Sequence, residues 1–243
     1  MKVPFNIDFS LKRSIRAIAT AVCAVVLTSG AAFAQDGAGE SESKLMVGFK
    51  SGFNISDIRI GADTEYFFQQ EGAGKNIAPQ IHAFGRYDFT KWVGAELELG
   101  WTQNAFTVFS NATTTYRANN FQANVIGNVR IPVLSVYHPR LYAGFSYNYN
   151  AYTYSRTTAS SGAFVYDQTF DVTNSFAPHD FGAIIGTGLQ FDLKFANLLV
   201  DARYRHGFTK TVRRAGDITS LQPLVRQASI SDVAFMVGLG FAL

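Results

Sequence analysis

Cysteine is almost absent from this chain: its 243 residues hold one, Cys23. A disulfide framework is thereby excluded, and stability has to come from packing and hydrogen bonds. Charge is scarce as well, at 16% of residues against about a quarter in an ordinary soluble domain. Prolines number six, which excludes a proline-rich linker or a collagen-like repeat. Beyond residue 34 no apolar run approaches the roughly 20 residues that a membrane-spanning helix needs. Yet 47% of the residues are hydrophobic and 14% aromatic. So much apolar surface excludes disorder as the main state.

The one long apolar run lies near the start. Lys2, Lys12, Arg13 and Arg16 lead into AIATAVCAVVLTSGAAFA (17–34), which closes on the small-x-small pattern Ala32-Phe33-Ala34. Residues 1–34 are therefore expected to be a secretory signal peptide, cleaved after Ala34. An uncleaved anchor is the alternative, disfavoured by the weakly hydrophobic tail Gly30-Ala31-Ala32. With Cys23 removed, the mature chain has no zinc–thiolate site and no cysteine nucleophile. The same segment carries four of the 21 basic residues and one of the 18 acidic ones, leaving 17 of each. The formal charge of +3 thus belongs to the signal, and nothing global points to nucleic acid as a partner. Residues 35–43 (QDGAGESES) read as a short flexible leader, and 44–243 as one domain.

From Lys44 onward the apolar residues recur with period two, the mark of strands. Eight such segments are expected, at about 45–55, 77–88, 92–104, 119–133, 140–153, 180–193, 197–208 and 231–243. Their connections alternate between short (89–91, 134–139, 194–196) and long (56–76, 105–118, 154–179, 209–230). Short turns at one rim, long loops at the other and an even strand count predict an eight-stranded antiparallel transmembrane β-barrel of the bacterial outer membrane. A soluble barrel would give the same alternation with its faces exchanged. The glycines decide between them. Gly48, Gly52, Gly94, Gly100, Gly144, Gly182, Gly186, Gly188, Gly207, Gly238 and Gly240 lie opposite the apolar face, and only Gly85 and Gly127 lie on it. Glycine weakens a solvent-exposed strand but suits the crowded lumen of an eight-stranded barrel. The apolar face is therefore expected to meet lipid. Two aromatic groups, one with Tyr87, Phe89 and Trp92, the other with Trp101, Phe121 and Tyr204, are placed to mark the two headgroup levels.

Several stretches also resemble a known family. GFKSGFNISD (48–57), FGRYDFTKWVGAELELGWTQNAF (84–106), NVRIPVL (128–134), DFGAIIGTGLQFDL (180–193) and LLVDARYRHG (198–207) are similar, in order and spacing, to the Bacteroidetes outer-membrane beta-barrel family that includes the PorT-type proteins. The resemblance spans about 45–243. It implies an eight-stranded barrel, and a role as an accessory factor in protein secretion or envelope assembly. Fold alone does not settle that role.

The inward positions carry charges of both signs. Lys50, Arg86, Glu96, Glu98, Arg130, Asp192, Asp201, Arg203 and Arg205 are expected to form an interior network, joined by Asp88 and Asp232. In a narrow lumen such a network reads as a plug rather than an ion path, which disfavours a general porin. Lys210, Arg213 and Arg214, with Arg226 in the same loop, read first as a solvated basic loop, the alternative being a clamp on lipid phosphate or an acidic partner. The partners expected are outer-membrane lipid, including lipopolysaccharide, and secretion or envelope-assembly proteins. The first long loop sets Tyr66, Phe67 and Phe68 beside Asp63, Glu65 and Glu71, which suits a partner contact and packing onto the barrel mouth equally well. His206 with Ser231, and His179-Asp180 after Ser175, are the candidates for a lipid-A-modifying enzyme. No acid is placed to orient His206, so a protein without enzymatic activity is the leading expectation. A lipid-A-modifying enzyme and a small-solute channel are the alternatives. No calcium loop, phosphate loop or cofactor motif is present in the sequence.

Overall fold

The computed structural model describes residues 45–59, 73–90, 92–109, 112–131, 137–161, 164–193, 195–211 and 229–243. The expected signal peptide and leader lie outside these residues. Nine strands form: β1 (Leu45–Arg59), β2 (Ala73–Asp88), β3 (Val93–Phe109), β4 (Thr113–Arg130), β5 (Tyr137–Ser161), β6 (Phe164–Asp171), β7 (His179–Asp192), β8 (Asn197–Gly207) and β9 (Ser229–Ala242). All pairings are antiparallel. Each strand follows its predecessor around the sheet except β6, which the ring bypasses by pairing β5 with β7. The ring closes between β1 and β9, from Met46 opposite Ala242 to Arg59 opposite Ser229. Eight strands therefore make the ring. β6 pairs only with the upper part of β5 among the described residues, from Tyr154 opposite Asp171 to Ser161 opposite Phe164.

Two expectations about the connections need correction. The segment 105–118 is not a long loop: β3 and β4 run through most of it, paired up to Phe109 opposite Thr113. The segment 154–179 is likewise built, by the end of β5, by β6 and by a 3₁₀ turn at Thr173–Ser175. Both stretches leave the apolar band, so their outer faces no longer need apolar side chains and the period-two signal fades. The connections after β2 and β7 fall close to expectation, whereas the one after β4, expected at 134–139, lies earlier, because β4 ends at Arg130 and β5 begins at Tyr137.

The faces divide as the alternation predicts. Phe145 is 70% exposed, and Phe49, Ile77, Ile81, Leu97, Val125, Ile185 and Val237 all point outward. Their neighbours in sequence point in and are buried or half-buried. In water such a surface would aggregate; in a bilayer it is the required coat. Glycine spacing explains how the lumen holds its contents. A methyl carbon placed on Gly144 would fall on the Val125 carbonyl oxygen of the adjacent strand, whereas one placed on Gly85, which faces lipid, meets nothing within 4 Å.

One irregularity redirects the alternation. Asn119 pairs with Tyr152 and Asn120 with Asn150, so Ala151 is an extra residue, a β-bulge. Below it the even residues of β5 are buried, among them Ser146 and Asn148; above it the odd ones are, Thr153 and Ser155. The bulge thus keeps β5 against β4 as both strands leave the membrane.

Candidate functional site

The lumen is filled by three layers of side chains. The central layer holds three cations and three carboxylates. Lys50 Nζ, supplied by β1, bonds to Glu96, to Glu98 Oε1 at 2.9 Å and to Asp201 Oδ2 at 3.0 Å. Arg140 Nη2 on β5 donates to Asp201 Oδ1 at 2.6 Å, and its Nη1 lies 3.5 Å from Glu96 Oε2. Arg203 Nη1 on β8 donates to Glu98 Oε2 at 2.6 Å, an oxygen that also accepts from Asn124 Nδ2 at 2.7 Å. His82 Nδ1 stands 3.5 Å from that same oxygen. All these groups are buried. Isolated charges there would cost several kcal/mol each, so they persist only because each meets an opposite partner.

Toward the short turns lies a second layer. Arg86 Nη2 donates to Gln190 Oε1 at 2.8 Å, and its Nε lies 3.3 Å from Asp88 Oδ1. Arg130 reaches the other oxygen of Asp88 at 3.7 Å. Gln190 Nε2 donates to Asp192 Oδ1 at 2.6 Å, and Asp192 Oδ2 meets His138 Nε2 at 3.0 Å. Met46, Phe84 and Leu199 pack together as an apolar cluster inside the same end.

Toward the outer mouth lies the third layer. Arg205 pairs with Asp180, lies 3.5 Å from Asp232 Oδ2 and donates from Nε to Ser146 Oγ at 2.8 Å. Above it Phe106 stacks on Tyr116 with centroids 5.0 Å apart, and Phe176 joins Tyr116 at 6.2 Å. Phe176 is carried there by the segment between β6 and β7. That segment is tied down by hydrogen bonds from Ala177 N to Thr211 O and from Asn150 N to Pro178 O.

The nine expected network residues thus occupy three layers. Lys50, Glu96, Glu98, Asp201 and Arg203 meet in the centre; Arg86, Arg130 and Asp192 lie toward the short turns; Arg205 lies toward the mouth. Arg140, His82, Gln190 and Asp180 were not among them. Parity alone carries three of these inward: Arg140 precedes outward Leu141, His82 lies between outward Ile81 and Ala83, and Gln190 follows outward Leu189. In the last basic loop Lys210 is exposed, while Arg213, Arg214 and Arg226 lie outside the described residues. The aromatic loop with Tyr66, Phe67 and Phe68 also lies outside them.

The two histidine candidates sit on the outer surface near the mouth. His206 is opposite Ser231 in the ladder, but Ser231 Oγ is buried without a hydrogen-bond partner, so the Ser–His pair is not formed. His206 Nδ1 lies 3.4 Å from the Tyr204 hydroxyl instead. His179 Nδ1 shares a 2.7 Å hydrogen bond with the Tyr147 hydroxyl, and its ring stacks on that tyrosine.

The family model described as an outer membrane protein beta-barrel domain matches residues 33–213. Among solved structures, Neisserial surface protein A is 12% identical, covers 84% of this chain and 100% of its own, and has a TM-score of 0.45. The outer membrane protein OprG from Pseudomonas aeruginosa is 14% identical, with 82% and 95% covered and a TM-score of 0.45. The attachment invasion locus protein Ail of Yersinia pestis is 14% identical, with 82% and 98% covered and a TM-score of 0.37. No curated protein matches the chain in sequence. The family match covers most of the chain, and the closed ring with its apolar coat is the architecture that family requires: the chain belongs to the outer membrane protein beta-barrel domain family and is a protein of the bacterial outer membrane.

Proposed function

We propose that this barrel is a non-enzymatic, partner-binding protein of the outer membrane. Its role would be that of an accessory component of protein secretion or envelope assembly, as the resemblance to the PorT-type proteins implies. The observation that carries the reading is the edge presented by β6. Among the described residues this strand makes one ladder, with β5, on a hairpin beyond the last pairing of β5 with β7. An edge strand offers its free backbone N–H and C=O groups to a strand of another protein. Tyr166 and Phe170 on this strand are exposed, and aromatic residues are enriched at protein contacts. Lys210, Arg213 and Arg214 are assigned in this reading to lipid phosphate, including that of lipopolysaccharide, or to an acidic partner surface. The three-layered lumen supports a closed barrel over a solute channel.

The test is site-specific photocrosslinking in native membranes. A photoreactive residue replaces Tyr166 or Phe170 in turn, and Phe145 on the lipid face serves as control. Reproducible protein adducts at 166 and 170 but not at 145 support the reading. Adducts to lipid alone at all three positions would overturn it, and mass spectrometry of lipid A from cells lacking His179 and His206 would then test the enzyme.

A further inference from the structure

The outward face of β4, β5 and β6 changes chemistry where it leaves the apolar band. Phe121 is opposite Tyr149 at the top of the band. The next outward positions are Asn119 opposite Tyr152, then Arg117 opposite Tyr154, which is in turn opposite Asp171 of β6. Thr153 and Ser155 are buried, so Tyr152 and Tyr154 face outward, with ring centroids 5.9 Å apart. Both tyrosines and Arg117 are half-buried, and Asp171 is exposed. A relay of hydrogen bonds fixes the guanidinium. Arg117 Nη1 donates to Gln103 Oε1 at 3.0 Å, Gln103 Nε2 to Asn119 Oδ1 at 3.0 Å, and Asn119 Nδ2 to the Tyr152 carbonyl at 3.3 Å. That relay engages one nitrogen of Arg117 with a neutral partner, and no carboxylate among the described residues pairs with it. Beyond the tyrosines, Asp171 Oδ1 accepts from Thr173 N at 2.9 Å and from Thr173 Oγ1 at 2.7 Å, which leaves Oδ2 open. Asp167 on the same strand is already matched by Arg156.

Height selects the ligand. Arg117 lies four residues beyond Phe121. That is about 13 Å along the strand, and about 10 Å along the membrane normal at a strand tilt of about 40°. A headgroup layer is only about 5–8 Å thick on each side of a bilayer. Arg117 and Tyr154 therefore stand above phospholipid headgroups, at the level of the sugars that the outer leaflet of this membrane carries. We infer that Arg117, Tyr152, Tyr154 and Asp171 form a binding site for the phosphorylated saccharide of lipopolysaccharide. Arg117 meets a phosphate through charge-assisted hydrogen bonds. The tyrosine rings pack against the C–H face of a sugar ring. Asp171 Oδ2 accepts from sugar hydroxyls. A cation and a carboxylate held apart by aromatic rings suit a ligand that bears both phosphate and hydroxyl groups, whereas a purely anionic headgroup is repelled by Asp171. The site is independent of the β6 edge assigned above to protein partners.

The experiment offers the mature protein, folded in detergent, two probes in turn: lipopolysaccharide with its core oligosaccharide, and lipid A without it. Bound lipid is counted by native mass spectrometry. Folding is checked in parallel by the gel shift between unboiled and boiled samples. Wild type should hold the core-bearing lipid about tenfold more tightly than lipid A. Arg117→Gln and Tyr154→Ser should each weaken the core-bearing lipid about three- to tenfold and leave lipid A binding as it was. Lys75→Gln, which removes an exposed cation paired with Asp57, should change neither. Equal affinity of wild type for the two lipids would overturn the inference. So would folded variants that bind the core-bearing lipid as wild type does, or phosphatidylglycerol competing as well as that lipid. Should one variant fail to fold, the other and the comparison of the two probes still decide the matter.

Discussion

Glu98 shows how much of the lumen rests on one carboxylate. It accepts from Lys50, Arg203 and Asn124 and has His82 beside it. Replacing it by alanine leaves two buried cations short of a partner. Breaking a buried ion pair in this way typically costs about 3–5 kcal/mol. The E98A variant should therefore unfold at clearly lower urea concentration than wild type, followed by tryptophan fluorescence in lipid vesicles; an unchanged midpoint would mean that the layer is not structural. The glycines make a second residue-scale prediction. Gly144→Val forces a side chain onto the Val125 carbonyl, while Gly85→Val enters open space on the lipid side. Overpacking costs about 1–3 kcal/mol or more, so G144V should lose much of its heat-modifiable band on a gel and G85V should keep it. Both positions were legible in the sequence, because strand parity sorts glycines by face. The grouping of charges into layers was not legible. Parity says which way Lys50 and Arg205 point, but the stagger between neighbouring strands, which decides what each meets, is a property of the closed ring.

At the scale of elements, the hairpin of β5 and β6 is the part that the sequence concealed. Its residues, SRTTASSGAFVYDQTFDVTNS (155–175), lack the apolar alternation that lipid imposes on the other strands. What fixes the hairpin instead is backbone pairing and one exposed ion pair, Arg156 with Asp167, whose two hydrogen bonds measure 2.6 and 2.9 Å. The hydrogen bonds from Arg156 hold the Asp167 carboxyl below its usual range. A carboxyl lowered by folding stabilises the fold above its unfolded pKa, near 3.9, and that contribution is lost as pH falls through the folded value. The hairpin should thus be indifferent to pH between about 5 and 8 and loosen only in stronger acid. Hydrogen exchange over 154–171, corrected for intrinsic rates, checks this. Asp167→Asn should remove the acid response, and loosening already at pH 6 would assign the effect to another group.

For the whole molecule, the closed ring and filled lumen make two expectations. Folded in detergent, the protein should give strand-rich circular dichroism and migrate differently before and after boiling; a helical spectrum would contradict the fold. In a planar bilayer it should be silent, since the central layer blocks the lumen with paired charges. Stepwise conductance in wild type would show that this layer opens. The barrel itself was legible at this scale from alternation, glycine phase and the short turns. The extra strand β6 was not, because it lies beyond the segments that lipid patterns.

The seam between β1 and β9 sets a condition on time as well as on shape. Met46 waits for Ala242, and Arg59 for Ser229. Every other ladder of the ring joins strands that follow one another around it, so a growing sheet can add them one by one. The seam joins its first strand to its last. Until β9 arrives, the sheet has two bare edges and an apolar coat, and no partial ring shields either. Such an intermediate invites pairing with any other open strand. Assembly must therefore be guarded from the arrival of β1 to the arrival of β9, and a helper that releases the chain before then releases an aggregate.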